Sequence, residues 1–457
     1  MESITFFSNK KDHRQAAEDI IQQAHKRLDF EPNLALFYAT LKYNGKYQAM
    51  LDMFNEEYGN IPQIGASVDG MIYPDDMRTD GAALVLCRDE DAKIRVDGVK
   101  EKGAINSAEK LAKKIKCENG AVVLHFPLMY VPDALKCTES FAKGLYYSKR
   151  CKGADKEKQK GYAEKLADYC DRENIFYLPP TILNIFAKQT SYKVPIIGIN
   201  VMHTQVRFNS PRIFCNFKDI DGGIAALTIE KKGVGAVYDD IFPDKGKTLE
   251  ETKRIVNREF TVIKEFNANF EKNILVSLDN MPPLEAVKNL IYTSENKNDD
   301  LLKHLDKGAY KLYRPYVLLF FNKKTNGAFV LGIGSYYPFD LFPFFVDISD
   351  YSEDVALAYA LVDGKFNAFT SSLDNLRSSN GKFVCFFIDV GVASAFGEKI
   401  FEYKDKTKKL AGKNYFGILS ATPSAYIPPE FQLRNYLSES SNNTFFMTGG
   451  TNACLEI

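Results

Sequence analysis

The chain has 457 residues, more than one ordinary core accommodates, so about two to four domains are expected. Lys+Arg and Asp+Glu balance at 59 each, and hydrophobic residues make up 45%. This composition excludes a long disordered chain, and it argues against a protein built to grip nucleic-acid backbone or an anionic membrane surface.

The N-terminal Met1-Glu2-Ser3-Ile4 does not read as a signal peptide, and no apolar run approaches the roughly 18 residues of a membrane span. A soluble, cytoplasmic protein with no membrane insertion and no nucleic-acid partner is the expectation. The eight cysteines contain no C-x-x-C pair and read as buried reduced thiols. No cofactor or metal site is suggested.

Along the chain, Ala17, Ile20, Ile21, Ala24 and Leu28 share one helical face, and Pro32 ends that helix. Leu34–Ala39 reads as a buried strand. Tyr47, Met50, Leu51, Phe54 and Tyr58 form the next helical stripe, and Ile61–Ala66 the next strand. Strand, helix, strand with short connections is a βαβ unit with parallel strands. Gly81–Cys87 adds an apolar strand after Asp80.

The same order begins again at Ala121. Val122–Phe126 is its strand, with a helix near Asp133–Tyr147. A charged stretch from Lys149 to about Glu173 reads as a solvated helix. Val194–Gly198 resumes the copy, and Gly223–Ile229, preceded by Asp221-Gly222, closes it. Phe260–Val276 is extended, and a short helix is expected at 284–291. Residues 294–300 form a linker. Beyond it, Tyr316–Phe321, Phe339–Ile348, Val355–Val362 and Phe366–Ser371 suggest antiparallel pairing. Phe383–Ile388, a helix near Ser394–Tyr403, and Tyr415–Ser420 repeat the first copy's spacing.

The expected architecture is therefore α/β, passing to α+β in the C-terminal half, with layered sheets and flanking helices built from duplicated units. The expected domains are residues 1–293, duplicated over about 15–110 and 120–293, and residues 301–457.

The candidate site follows from a motif written three times: Gly65-Ala66-Ser67-Val68-Asp69, Gly198-Ile199-Asn200 and Gly417-Ile418-Leu419-Ser420. A strand that ends in glycine admits a ligand to the backbone, and α/β sheets bind ligands beyond the carboxyl ends of their strands. Ser67, Asp69, Asn200 and Ser420 supply polar atoms there. Alternatively, Asp69-Gly70 merely reverses the chain. His125 lies in an apolar strand and reads first as a core imidazole, second as the lining of a cleft between copies. Gly246-Lys247-Thr248 lacks the earlier glycine of a phosphate loop, and Thr248 with Glu251 reads as a helix capping box. No G-x-S-x-G elbow and no metal-ligand histidine spacing occurs.

Ala16-Ala17-Glu18, Asn33-Leu34-Ala35-Leu36-Phe37 and Ile64-Gly65-Ala66-Ser67-Val68-Asp69-Gly70 resemble the N-terminal domain of FIST sensory proteins. Phe260-Thr261-Val262-Ile263, Asn273-Ile274-Leu275 and Asp279-Asn280-Met281-Pro282 resemble the end of that domain. Leu341–Val346, Gly364-Lys365-Phe366 and Phe416-Gly417-Ile418 are similar to its C-terminal companion. The resemblance implies a small-ligand-binding sensory module, with amino acids among the proposed ligands, that signals through a partner protein without catalysis. The chain departs from the family pattern at Gly198-Ile199, at Gly417–Ala421 and in lacking an arginine within Val355–Val362. The alternatives are an enzyme acting on a small metabolite through Ser67, Asp69 or His125, and a protein-interaction scaffold.

Overall fold

The computed structural model describes residues 1–127, 134–201, 211–290, 316–332, 342–343, 351–361, 383–389, 414–428, 446–447 and 451–457, apart from short internal breaks, with isolated residues elsewhere. Three series of elements follow one another. The first is β1 (Glu2–Ser8), α1 (His13–Arg27), β2 (Leu34–Ala39), α2 (Tyr47–Tyr58) and β3 (Gln63–Ser67), then a hairpin of β4 (Gly70–Tyr73) and β5 (Asp76–Arg78), then β6 (Ala82–Arg88). The second is β7 (Lys93–Val99), α3 (Ala104–Ala112), β8 (Gly120–Pro127), α4 (Ala134–Cys151), α5 (Lys156–Arg172), α6 (Pro179–Gln189) and β9 (Ile196–Val201). Its hairpin is β10 (Ile213–Cys215) and β11 (Lys218–Asp219), and it closes with β12 (Ile224–Glu230).

The third series starts with β13 (Gly235–Asp240) and α7 (Leu249–Glu259), then carries an insertion. The inserted strands are β14 (Phe260–Glu271), β15 (Ile274–Leu278), β16 (Tyr316–Asn322), β17 (Ala328–Gly332), β18 (Phe342–Pro343) and β19 (Tyr351–Leu361). It resumes with β20 (Val384–Asp389), β21 (Tyr415–Ser420), the pair β22 (Pro423–Tyr426) and β23 (Phe446–Met447), and β24 (Thr451–Glu456).

Three six-stranded sheets share one plan: β1-β6-β2-β3-β10-β11, β7-β12-β8-β9-β22-β23 and β13-β24-β20-β21-β4-β5. In each, the third and fourth strands run parallel and every other neighbour antiparallel. The hairpins are exchanged. β4–β5 leaves the first series for the third sheet, β22–β23 leaves the third for the second, and β10–β11 leaves the second for the first. The cycle closes, so no sheet is completed by its own series.

The inserted strands form a fourth sheet, β17-β16-β19-β14-β15-β18, antiparallel throughout. The expected linker at 294–300 lies outside the described residues, and strands on either side of it share this sheet. Most of the helix expected near Ser394–Tyr403, most of Phe339–Ile348 and part of the 284–291 helix also lie outside the described residues. Phe366–Ser371, expected as a strand, is helical where it is described, at Phe366, Asn367 and Thr370.

Local chemistry accounts for the elements. Asp12 caps α1 by accepting from the Arg14 and Gln15 amides at 2.9 and 3.1 Å, and His25, Lys26 and Arg27 occupy its last turn. Thr248 Oγ1 accepts from the Glu251 amide at 3.2 Å, the cap expected there, whereas the Glu251 carboxylate accepts from the Lys247 amide at 2.8 Å, one residue before the N-cap position of a capping box. α5 is not simply solvated as expected. Ala163, Leu166 and Ala167 make a narrow apolar stripe that packs on Ile274 and Val276 of β15.

Strands β2, β3, β8 and β9 are buried along their whole length because both faces are covered. One face of the first sheet carries α1 and α2, with Phe37, Phe54 and Phe214 packed together. One face of the second carries α3 and α6. The other faces of all three sheets meet in a common core that includes Leu36, Val123 and Cys385 with Val85, Leu227 and Leu455.

Two glycines separate packing from propensity. A Cβ on Gly65 would fall on the Phe37 carbonyl of the adjacent parallel strand, whereas one on Gly161, inside α5, would meet nothing within 4 Å. Gly65→Ala should lower the unfolding free energy by about 3 kcal/mol. Gly161→Ala should raise it by roughly 0.5–1 kcal/mol. Urea unfolding of the two variants measures both signs.

Candidate functional site

The three motif glycines occupy one structural position. Gly65, Gly198 and Gly417 lie opposite Phe37, Leu124 and Phe386 across the parallel ladders. Across the exchanged strands they lie opposite Phe214, Ser424 and Ile72. Ser67 and Asn200 stand two residues further on, where alternation returns them to the glycine's face, toward the helices. Ser420 stands three residues on. It shares the inner face with Phe416 and Ile418, so it is not the counterpart of Ser67 and Asn200; Leu419 is. Counting from glycine to the next polar residue, without strand register, produced that mismatch.

Each strand end is covered by the hairpin it receives. Ser67, Asn200 and Ser420 are fully buried. The Ser67 hydroxyl accepts from the Arg212 amide at 2.8 Å, and the Ser67 amide donates to the Arg212 carbonyl at 2.9 Å, which ties the incoming β10 to the end of β3. Arg212 in turn pairs with Asp221, which also holds Lys100. Asp69 is half-buried in the turn that carries the chain from β3 to β4, and its amide donates to the Leu419 carbonyl of the third sheet at 3.0 Å. Asp69 thus stands where the first series crosses to another sheet.

His125 belongs to the opposite face. It is 0% exposed, and its Nε2 shares a 2.8 Å hydrogen bond with the Tyr38 hydroxyl, the direction set by the imidazole tautomer. Phe387 meets the imidazole edge-on at 6.0 Å between centroids. Tyr38, His125 and Phe387 hold the same position in their three strands, each opposite an alanine of the closing strand: Ala83, Ala225 and Ala453. The small partners leave room for three rings to converge. Neither Tyr38 nor Phe387 was singled out from the sequence, although aligning the three strands on their partner glycines places both in one column with His125.

Ser67 and His125 therefore face opposite sides of their sheets and do not form a nucleophile–base pair. His125 Nδ1 has no hydrogen-bond partner of ordinary geometry among the described residues. Burial pushes the imidazole pKa down to about 3, with the Leu124 backbone opposing it, and burial holds the Tyr38 phenol well above its usual value. The thiols of Cys87, Cys117, Cys151, Cys215 and Cys385 are free and buried. Among the described residues, no group of three or more His, Cys, Asp or Glu side chains is placed to hold a metal ion, and no helix is long and apolar enough to cross a membrane.

A surface groove of about 450 Å³ lies between the first and second sheets. Its walls are the loop Gly59–Pro62, the edge strand β7 from Ile94 to Asp97, and the turn Asn216–Phe217.

The buried imidazole fixes a pH dependence. An imidazole that binds a proton near pH 6.5 when unfolded, but only near pH 3 when folded, contributes its full stability above pH 6.5. That contribution is lost as pH falls through this window, by up to about 1.4 kcal/mol per pH unit. Denaturant unfolding between pH 7 and pH 4 should show this slope. The double variant Tyr38→Phe, His125→Phe removes both hydrogen-bonding partners together and should flatten it.

Comparison with known proteins agrees with this architecture. Residues 33–269, just over half of the chain, match the FIST N domain. Residues 250–362 match the AF0772-like protein C-terminal domain, a span that contains every strand of the fourth sheet. An uncharacterized protein of Archaeoglobus fulgidus is 26% identical over 367 residues, covering 78% of this chain and 91% of that relative. With three sheets of one plan and a FIST N match that begins before β2 and ends within β14, the chain belongs to the FIST family.

Proposed function

We propose that this chain is a sensory protein that binds a small ligand at a sheet-exchange turn and passes the signal to a partner protein. The reading is carried by the FIST N match over residues 33–269, a family of sensory domains. The exchange plan supplies the physical means. Asp69 lies half-buried where β3 gives way to β4, held by the backbone of the third sheet. A ligand bound there touches two sheets at once, and it favours the arrangement in which both contacts are made.

Asp69 recognises an ammonium or hydroxyl group, which makes an amino acid the first ligand class to test. Gly65 lets its strand lie against the Phe37 carbonyl beneath the site, Gly198 and Gly417 hold the same position in the other two sheets, and Ser67 anchors the neighbouring hairpin. Asn200, Ser420 and His125 support its sheets from within. The signal reaches the partner through the relative placement of the sheets.

Thermal-shift measurements against the common amino acids and related metabolites test this reading. At ten times Kd, a true ligand should raise the melting temperature by about 1–2 °C. The Asp69→Asn variant should melt like the parent alone and lose the response. No stabilisation by any of these compounds at millimolar concentration removes the proposal.

A further inference from the structure

The groove between the first and second sheets differs from the equivalent junction between the third and first. There, Asn414 stands three residues before Gly417 and bridges to the edge strand. Its Oδ1 accepts from Ser3 Oγ at 2.6 Å, and its Nδ2 donates to the Met1 carbonyl at 2.8 Å. Strand register makes Ser3 the counterpart of Ile94. The residue equivalent to Asn414 is Pro62, which has no side-chain hydrogen-bonding group and leaves the Ile94 edge uncovered.

That edge is a template for another strand. β7 pairs with β12 on one side only. The Val96 carbonyl points away from β12, because it accepts from Asn216 Nδ2 at 3.0 Å. In an antiparallel ladder the residue two positions earlier points the same way, so the Ile94 N–H and C=O also face the groove. Neither makes a bond there among the described residues. Arg95 is exposed and Asp97 half-buried on the same face, and neither forms an ion pair among the described residues. Protected edge strands hide such groups, and bare ones recruit a strand.

We propose that this groove docks an extended peptide segment of a partner protein, which pairs with β7 and extends the second sheet. The outward Ile94 N–H and C=O are the free pair on this edge, while the Val96 carbonyl stays with Asn216, so the segment pairs at the N-terminal end of β7. The segment carries an acidic residue opposite Arg95 and a basic residue opposite Asp97, two positions apart on one face. The inference gives a docking place to the partner in the sensory reading, but the binding event does not depend on any small ligand.

Fluorescence polarisation tests it with labelled heptapeptides of Thr and Val that carry Glu and Lys two residues apart. A second set of the same peptides places Pro at alternate positions. The first set should bind the full chain, and the Pro set should not. Ile94→Pro removes the outward N–H and should weaken binding at least tenfold. Arg95→Glu, an exposed change, should weaken it severalfold and leave the melting temperature unchanged. Absence of binding at millimolar peptide overturns the proposal, as does equal binding by the parent and Arg95→Glu. A change in self-association without peptide binding also overturns it and assigns the edge to a second copy. Loss of this proposal leaves the Asp69 thermal-shift result standing, and loss of that result leaves this one.

Discussion

The open edge of each parallel strand pair is the constraint on which the architecture rests. In every repeat the second parallel strand, β3, β9 or β21, has one side paired and the other bare. A bare backbone edge inside a packed molecule carries unsatisfied donors and acceptors, and each costs a few kcal/mol. The chain covers all three edges with hairpins taken from a different repeat. Because that coverage passes from first to third, third to second and second to first, the sheets are joined through main-chain hydrogen bonds as well as through their shared core. Buried polar side chains at the strand ends serve the same purpose, as the bonds between Ser67 and the Arg212 backbone illustrate.

Much of this could be read from the residues alone. Leu34–Ala39, Gly120–Pro127 and Tyr415–Ser420 are apolar runs long enough to identify as strands, and the stripes of α1 and α2 follow helical spacing. The exchanged hairpins were not legible. β10 and β11 have three and two residues, and β10 pairs with β3 about 150 positions away, so neither periodicity nor turn chemistry reveals its destination. β7 is half-buried, and its charges alternate with apolar residues, the period of an edge strand, but the run is short and weakly apolar beside its neighbours. In α5 the buried stripe is made of small residues, Ala163 and Ala167 about Leu166, hidden among charges.

The candidate site was legible in part. The glycine motif marks one structural position in all three sheets, as its spacing suggested. The polar residues that accompany it divide between two faces, because side chains alternate along a strand and a one-residue difference sends Ser420 inward. His125 follows the first of its two readings, and no cleft opens at it among the described residues. It is a core imidazole, and it also sits where the repeats meet, with Tyr38 and Phe387 as its counterparts. A single ring position that holds tyrosine, histidine and phenylalanine in three repeats shows the copies diverging where they touch.

The cyclic exchange also governs how the molecule comes into being on the ribosome. When Gln63–Ser67 emerges, the strand that covers its edge is encoded about 145 residues later. At elongation rates of about 5–20 residues per second, that edge waits on the order of ten to thirty seconds. The second sheet waits longer still, since β9 is completed by Pro423–Tyr426. Birth of this chain therefore leaves adhesive, half-finished sheets exposed for tens of seconds, a load that falls on chaperones, and truncation before Pro423 strips β22 and β23 from the second sheet that borrows them.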